Sequence, residues 1–169
     1  MQPLDEVVDT STAAAGLPAA TPPASEATRV AERLGSARFR RDYGLKYAYV
    51  TGAMYRGIAS KEMVVAMGRA GLMGFLGTGG LPLDRLRADI AFIQHELSAG
   101  QAYGMNLIAN VGDPQTELRT ARLFIEMGVP AIEASAFMQI TPALVLYRAA
   151  GLVAAGDGVM SRTRILAKL

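Results

Sequence analysis

The sequence predicts an α/β fold built on a parallel sheet, and three observations carry that expectation. Short β-branched and aromatic runs alternate with longer segments of helical periodicity from residue 47 onward. The alternation repeats four times in units of about 30 residues, the size of a strand–helix–strand unit. Proline and glycine fall where the helical segments should begin and end.

In order along the chain, residues 1–29 are rich in Ala, Pro, Thr and Ser and poor in aromatics, a low-complexity tail or linker that cannot fill a core. Residues 30–46 form a lead-in, with a short helix expected at Val30–Leu34 followed by a loop. Residues 47–169 carry the repeated units. The expected strands are Tyr47–Val50, Leu72–Phe75, Tyr103–Leu107, Ala131–Ala134 and Arg164–Lys168. Helices are expected at Ser60–Ala70, Leu83–Leu97, Pro114–Met127 and Pro142–Ala150. In the second of these, Leu83, Leu86, Ile90, Ile93 and Leu97 recur every three or four residues and so share one face. Asp113-Pro114 and Thr141-Pro142 each give an N-cap residue and a proline at the first helical position. Gly71 and Gly128 sit where helices must stop. Two architectures fit this order. A doubly wound sheet would be complete with about five strands. A (β/α)8 barrel takes about 250 residues, so 169 would make its first half, about four βα units plus a fifth strand, truncated.

Composition narrows the function classes. Half of the residues are hydrophobic (51%), and mean hydropathy is +0.23, so disorder throughout is excluded. The net charge is only +2, from 17 basic and 15 acidic residues, so no basic face for nucleic acid is expected. The densest cationic group, Arg38, Arg40, Arg41 and Lys46, reads as solvated surface. There is no cysteine, which removes disulfides and thiolate chemistry and fits a reducing compartment. The single histidine, His95, falls on a helix between Gln94 and Glu96 and reads as surface or packing. No metal site, signal peptide or apolar run of about 20 residues is visible, so a cytoplasmic protein without membrane contact is expected.

In either architecture ligands gather at the carboxyl ends of the strands. Four segments occupy that position: Thr51-Gly52-Ala53-Met54, Gly77-Thr78-Gly79-Gly80, Asn106 within YGMNLIAN, and Glu133-Ala134-Ser135-Ala136. Small residues let a flat group approach the backbone, an Asn offers a donor and an acceptor, and a Met thioether packs on an aromatic face. The glycine stretch GFLGTGG is neither a dinucleotide fingerprint nor a P-loop. Glu133 stands inside an apolar strand, which calls either for a partner inside the fold or for a role at the tip. Each residue has an ordinary explanation as turn, core or cap. Their agreement, each at the same end of its own strand, raises the functional reading.

The same residues carry a family resemblance. The stretches GLKYAYVTGAMYRGIASKEMVVAMGRAGLMGFLGTGGL, YGMNLIAN and IEASAFMQITPALVLYR resemble, in order and spacing, the PfaD-type enoyl reductases of polyunsaturated fatty acid and trans-acyltransferase polyketide synthases. These are relatives of the nitronate monooxygenases, formerly called 2-nitropropane dioxygenases. The resemblance runs from about Leu34 to Leu169. It implies a TIM barrel with FMN at its C-terminal mouth, of which residues 47–169 would be the N-terminal half and residues 164–169 the fifth strand. It implies Gly52, Ala53 and Met54 beside the flavin ring, Gly77, Thr78 and Gly79 in the next loop, and Asn106 on the isoalloxazine edge, with Glu133 nearby. Nitronate monooxygenases carry a base histidine where this chain has Ser135, a poor base without an activator. The resemblance therefore implies an NADPH- and FMN-dependent reduction of enoyl thioesters held on an acyl carrier protein. Tyr55, Ser135 and Gln139 are the candidate donors to the thioester oxygen, and Arg56 could approach a phosphate. Phosphate loops in such barrels come from later strands, so this chain alone is expected neither to hold FMN tightly nor to catalyse. A separately supplied C-terminal half of the barrel is a further expected partner. The alternatives are a nitronate monooxygenase-like flavin oxidoreductase and a non-catalytic remnant or structural fragment.

Overall fold

The computed structural model of the chain describes residues 25–168. The tail expected at 1–29 lies outside the described residues up to position 24. The rest of it is not tail: Ser25 accepts from the Thr28 amide and starts helix α1, Glu26–Arg33. Helix α2, Ala37–Tyr43, follows directly, capped by the Ser36 hydroxyl and closed by Gly44. The lead-in thus holds two helices, where the sequence suggested one at Val30–Leu34.

Five strands form one parallel sheet: β1 (Val50–Thr51), β2 (Met73–Leu76), β3 (Gly104–Ile108), β4 (Ala131–Ser135) and β7 (Arg164–Lys168). Their spatial order, β1-β2-β3-β4-β7, follows the chain without reversal. A doubly wound sheet reverses direction at a switch point, whereas a barrel keeps winding one way. The sheet is therefore the first half of a (β/α)8 barrel. β1 is shorter and later than the expected Tyr47–Val50, because only Val50 and Thr51 find partners, Met73 and Gly74. Between β4 and β7 the chain adds an antiparallel hairpin, β5 (Leu152–Ala155) and β6 (Gly158–Ser161), turning at Gly156-Asp157. That turn is a standard two-residue hairpin signal, and the hairpin is additional to the five expected strands.

The connecting helices are α3 (Lys61–Arg69), α4 (Leu83–Glu96), α5 (Pro114–Glu126) and α6 (Pro142–Ala150). Their apolar stripes meet the outward residues of the strands. Val64, Ile90, Ile93, Phe124 and Tyr147 pack with Leu76, Met105, Leu107 and Ile132, all buried. Asp113 caps α5 through the amides of Gln115 and Thr116, as its place before Pro114 suggested. Thr141 does not cap α6 with its side chain; its hydroxyl is drawn to Glu117. The inner face has its own core of Leu45, Met73, Phe75 and Ala131, onto which Phe39 and Tyr43 of α2 fold together with Leu166. Helix α2 thus plugs the N-terminal end of the half barrel. The inner apolar face is covered there. No helix among the described residues is long and apolar enough to cross a membrane.

Tyr147 joins the outer layer to the backbone. Its side chain is fully buried, and its hydroxyl donates to the Val129 carbonyl at 2.7 Å. Burial raises the phenol far above its ordinary pKa, so the group stays protonated throughout the usable pH range. Tyr147→Phe leaves that buried carbonyl unsatisfied. The substitution is expected to cost about 1–3 kcal/mol, read as a lower urea midpoint at unchanged slope.

Candidate active site

The two-residue period of a strand sorts the inner face into layers. Toward the N-terminal ends it presents Met73, Phe75, Ala131 and Leu166. One step further along the strands it turns polar, with Asn106 on β3, Glu133 and Ser135 on β4, and Lys168 on β7. The register sets Asn106 opposite Glu133 and Ser135 opposite Lys168. The polar residues are thus neighbours by strand pairing alone.

Glu133 is 6% exposed, and a buried carboxylate needs partners. Its Oε2 accepts from the Ala53 amide at 2.9 Å and from Asn106 Nδ2 at 3.3 Å. Its Oε1 lies 3.6 Å from Lys168 Nζ, which also donates to the Ala53 carbonyl at 3.2 Å. One acid–base pair therefore holds both polar groups of the residue 53 backbone, closing the tip of β1 against β4 and β7. At Gly52 a Cβ would stand 3.1 Å from Glu133 Oε1 and 3.2 Å from Lys168 Nζ. Of the two roles left open for Glu133, the structure selects the inner partner. Its oxygens are engaged with protein donors, and it shapes the tip through Ala53.

Asn106 is also buried. Its Nδ2 donates to the Glu133 carbonyl at 3.1 Å and to Ser135 Oγ at 2.6 Å. Its Oδ1 makes no hydrogen bond among the described residues. The Asn106 carbonyl accepts from the buried Thr78 hydroxyl. Thr78 thus ties the second tip to the third.

The glycines of the second tip pack closely against the first tip. A Cβ on Gly77 would fall 1.6 Å from the Met54 carbonyl oxygen. The space goes to the first tip and not to a ligand. Gly57 and Arg56 donate to the carbonyls of Gly77 and Gly79 at 2.8 and 2.9 Å, and the Tyr55 ring lies over Gly79 and Gly80. Residues Tyr55–Gly57 form a single 3-10 turn, with Arg56 held at φ 54°. The Arg56 guanidinium stacks 5.7 Å from the Tyr55 ring centroid and lines no part of the mouth.

A cleft of about 300 Å³ opens at the barrel mouth. Ala53, Met54, Tyr55, Gly79, Asn106 and Ser135, all named from the sequence, line it together with Ile108, Ala136 and Lys168. Gly52, Gly77, Thr78 and Glu133 lie outside the cleft wall and act as its supports. Gln139 lines a separate groove beyond Ala136. Lys168 is the residue that sequence reasoning missed. It stands two places after the inner-facing Leu166, at the tip of the fifth strand, and the rule that found the other tips would have found it. His95 is exposed in the last turn of α4, at the opposite end of the sheet, beside Glu96. The site therefore offers a shallow cleft with small and apolar walls, one amide acceptor, two hydroxyls and one ammonium.

Two stability measurements check this geometry. Gly77→Ala forces the first two tips apart and is expected to cost about 3 kcal/mol in urea unfolding. Glu133→Ala, which leaves the Ala53 amide and Lys168 without their acceptor, is expected to cost about 2–3 kcal/mol, against about 1 kcal/mol or less for the half-exposed Lys168→Ala.

No protein-family model matches the chain. Among curated proteins it is 51% identical over 140 residues to the polyketide biosynthesis protein PksE of Bacillus subtilis, covering 82% of this chain and 18% of PksE. It is 48% identical over 139 residues to the polyketide biosynthesis protein ThaF of Burkholderia thailandensis, covering 82% of this chain and 12% of ThaF. A polyunsaturated fatty acid synthase component from Thraustochytrium is 44% identical over 137 residues, with 80% of this chain and 9% of that protein covered. The chain thus spans less than a fifth of each of these relatives. Among solved structures, the enoyl reductase domain of MlnA from the macrolactin biosynthesis cluster of Bacillus amyloliquefaciens superposes with a TM-score of 0.78 at 40% identity. That match covers 82% of this chain and 32% of the domain. FabK from Thermotoga maritima, at 23% identity and a TM-score of 0.51, covers 59% of this chain and 30% of FabK and shares the fold. Over at least 80% of its length, this chain is similar to short segments of polyketide and polyunsaturated fatty acid synthase proteins and to part of an enoyl reductase domain.

Proposed function

We propose that the mouth cleft is one wall of a flavin site, and that the chain forms the first half of an FMN- and NADPH-dependent enoyl reductase barrel. Its substrate would be an α,β-unsaturated acyl thioester on an acyl carrier protein of a polyketide or polyunsaturated fatty acid synthase. The observation that carries this reading is a polar-edged cleft at the strand tips, within a segment 40% identical to an enoyl reductase domain.

The residues present fit such a group. Ala53 and Ala136 leave room for a flat ring, and the half-exposed Met54 thioether suits its face. Asn106 Oδ1 can accept from a ring N–H, while Lys168 Nζ, with one donor beyond its bonds to Ala53 and Glu133, can meet a ring carbonyl. Glu133 sets this edge by fixing Asn106, Ala53 and Lys168 together. Lys168 is the only cationic side chain in the cleft wall, so nothing there among the described residues forms a phosphate cradle.

A bound flavin would supply the hydride for the β-carbon of the enoyl group, with NADPH as the reductant and a proton from an acid or water completing the α-carbon. The chain's own task is to hold and polarise the thioester. Ser135 Oγ accepts from Asn106, so its proton remains available to the thioester oxygen as negative charge develops there. Tyr55 stands at the rim with its ring fixed on Gly79 and Gly80, a second donor within the same cleft. Gln139, beyond Ala136, belongs to the neighbouring groove and contacts a more distant part of the substrate. A nitronate monooxygenase-like oxidation needs a base at the mouth. Ser135 cannot serve as that base, and His95 lies at the other end of the sheet.

The test joins this chain to the remaining strands of a homologous barrel. NADPH-dependent reduction of an enoyl group on a carrier protein is then assayed beside oxygen uptake with a nitroalkane. Enoyl reduction is the expected result, and turnover of the nitroalkane alone would overturn the assignment. In that background Ser135→Ala should lower kcat about a hundredfold with flavin content unchanged. Asn106→Ala should instead reduce flavin occupancy, read from the visible absorbance of the purified protein.

A further inference from the structure

Beside the mouth, a second cleft of about 320 Å³ runs between the β3–α5 and β4–α6 loops. Its apolar walls are Val111, Leu118, Phe137, Met138, Pro142 and Ala143, and Gln115 and Gln139 add polar side chains to the lining. We propose that this groove takes the apolar tail of the acyl thioester whose reacting end lies in the mouth cleft. The inference rests on the enoyl thioester reading and adds to it the channel that senses the acyl chain.

Adjacency is the first observation. Ala136 lines both clefts, so the groove begins one residue beyond the mouth. Ala136 has φ 61°, in the left-handed region that a residue with a Cβ seldom occupies. Such strain persists where the surrounding structure demands it. Here it swings the chain outward straight after Ser135. The hydroxyl thus stays at the mouth while Phe137 and Met138 line the groove.

The second observation is what the groove does not ask of its occupant. Its buried acid, Glu117, is 5% exposed, but both oxygens already serve the protein. One accepts from the Asn110 amide at 3.1 Å, and the other from the Thr141 hydroxyl. Glu117 therefore staples the two loops together beneath the groove and presents no unmet polar atom. A hydrocarbon chain needs no hydrogen bond and fits such a lining. The volume is that of a small-ligand site, about 300–1,000 Å³. At the rim Val111 is 93% and Met138 96% exposed, large apolar surface whose occlusion by a chain would be favourable.

The test uses the 169-residue chain and saturated acyl-pantetheines from butyryl to decanoyl, which bind without turnover. Affinity by calorimetry should rise about two- to fourfold for each methylene that enters the groove, making decanoyl at least about tenfold tighter than butyryl. Amide shifts on binding should centre on Leu118, Phe137 and Ala143. The double variant Val111→Asp, Met138→Asp changes only two exposed side chains and so should keep the fold. It should bring decanoyl down to the butyryl level. Equal affinity for all chain lengths would overturn the inference. Shifts centred on the β5–β6 hairpin, or a double variant that binds as the parent does, would overturn it too. Flavin binding without chain-length dependence would fail this inference alone. Chain-length dependence in a completed barrel that never reduces an enoyl group would fail the reductase reading alone.

Discussion

The buried carboxylate of Glu133 is the constraint on which the candidate site depends. An acid on an inward position of a central strand must find donors there, because the inner space excludes bulk water. The donors it finds are the Ala53 amide, the Asn106 amide group and the Lys168 ammonium. Asn106 and Lys168 stand on the adjoining strands β3 and β7, but Ala53 stands just past β1, with two strands between it and β4. A flat sheet would hold Ala53 well apart from Glu133, so the hydrogen bond from residue 53 to residue 133 is possible only because the sheet curls. Glu133 thus records the barrel's curvature in one contact and fixes the edge at which a ligand would be read.

Around that contact the tips lock pairwise. The second tip yields its space to the first, through Gly77 under Met54 and Gly79 under Tyr55. Thr78 ties the second tip to the third, and Asn106 ties the third to the fourth. At the other end of the strands Phe39 and Tyr43 of α2 fill the inner face. The mouth cleft therefore rests on a packed apolar plug, with polar residues only where the strands end. Beyond Ala136, Glu117 does for the outer loops what Glu133 does for the inner face: each buried acid joins two segments distant in sequence.

The helical layer was legible because its signals are local. Leu86, Ile90 and Ile93 form a stripe that any amphipathic helix would bury, and Asp113-Pro114 caps its helix as the dipeptide suggests. Boundaries that depend on a partner were read less well. Tyr47–Tyr49 has strand-like residues but no neighbour to pair with, whereas Thr51 has one in Gly74. Thr141 has the right residue type for a cap, yet its hydroxyl went to Glu117, which only the fold brings near. The hairpin at Gly156-Asp157 carries a local turn signal as well, between the helix expected to end at Ala150 and the strand expected from Arg164.

By itself the sequence determined the alternation of strands and helices, the positions of the strand tips and the residue types gathered there. Each follows from periodicity and turn chemistry within a few residues. The tertiary structure decided the rest. It made the sheet a barrel half, because β1 to β4 and β7 pair in chain order. It assigned Gly77 to backbone packing and Glu133 to support, and it added Lys168 to the cleft. It also moved Gln139 to a different groove. The reason is one of range: these roles rest on contacts across 80 and 115 residues, from Ala53 to Glu133 and to Lys168, that no local pattern encodes.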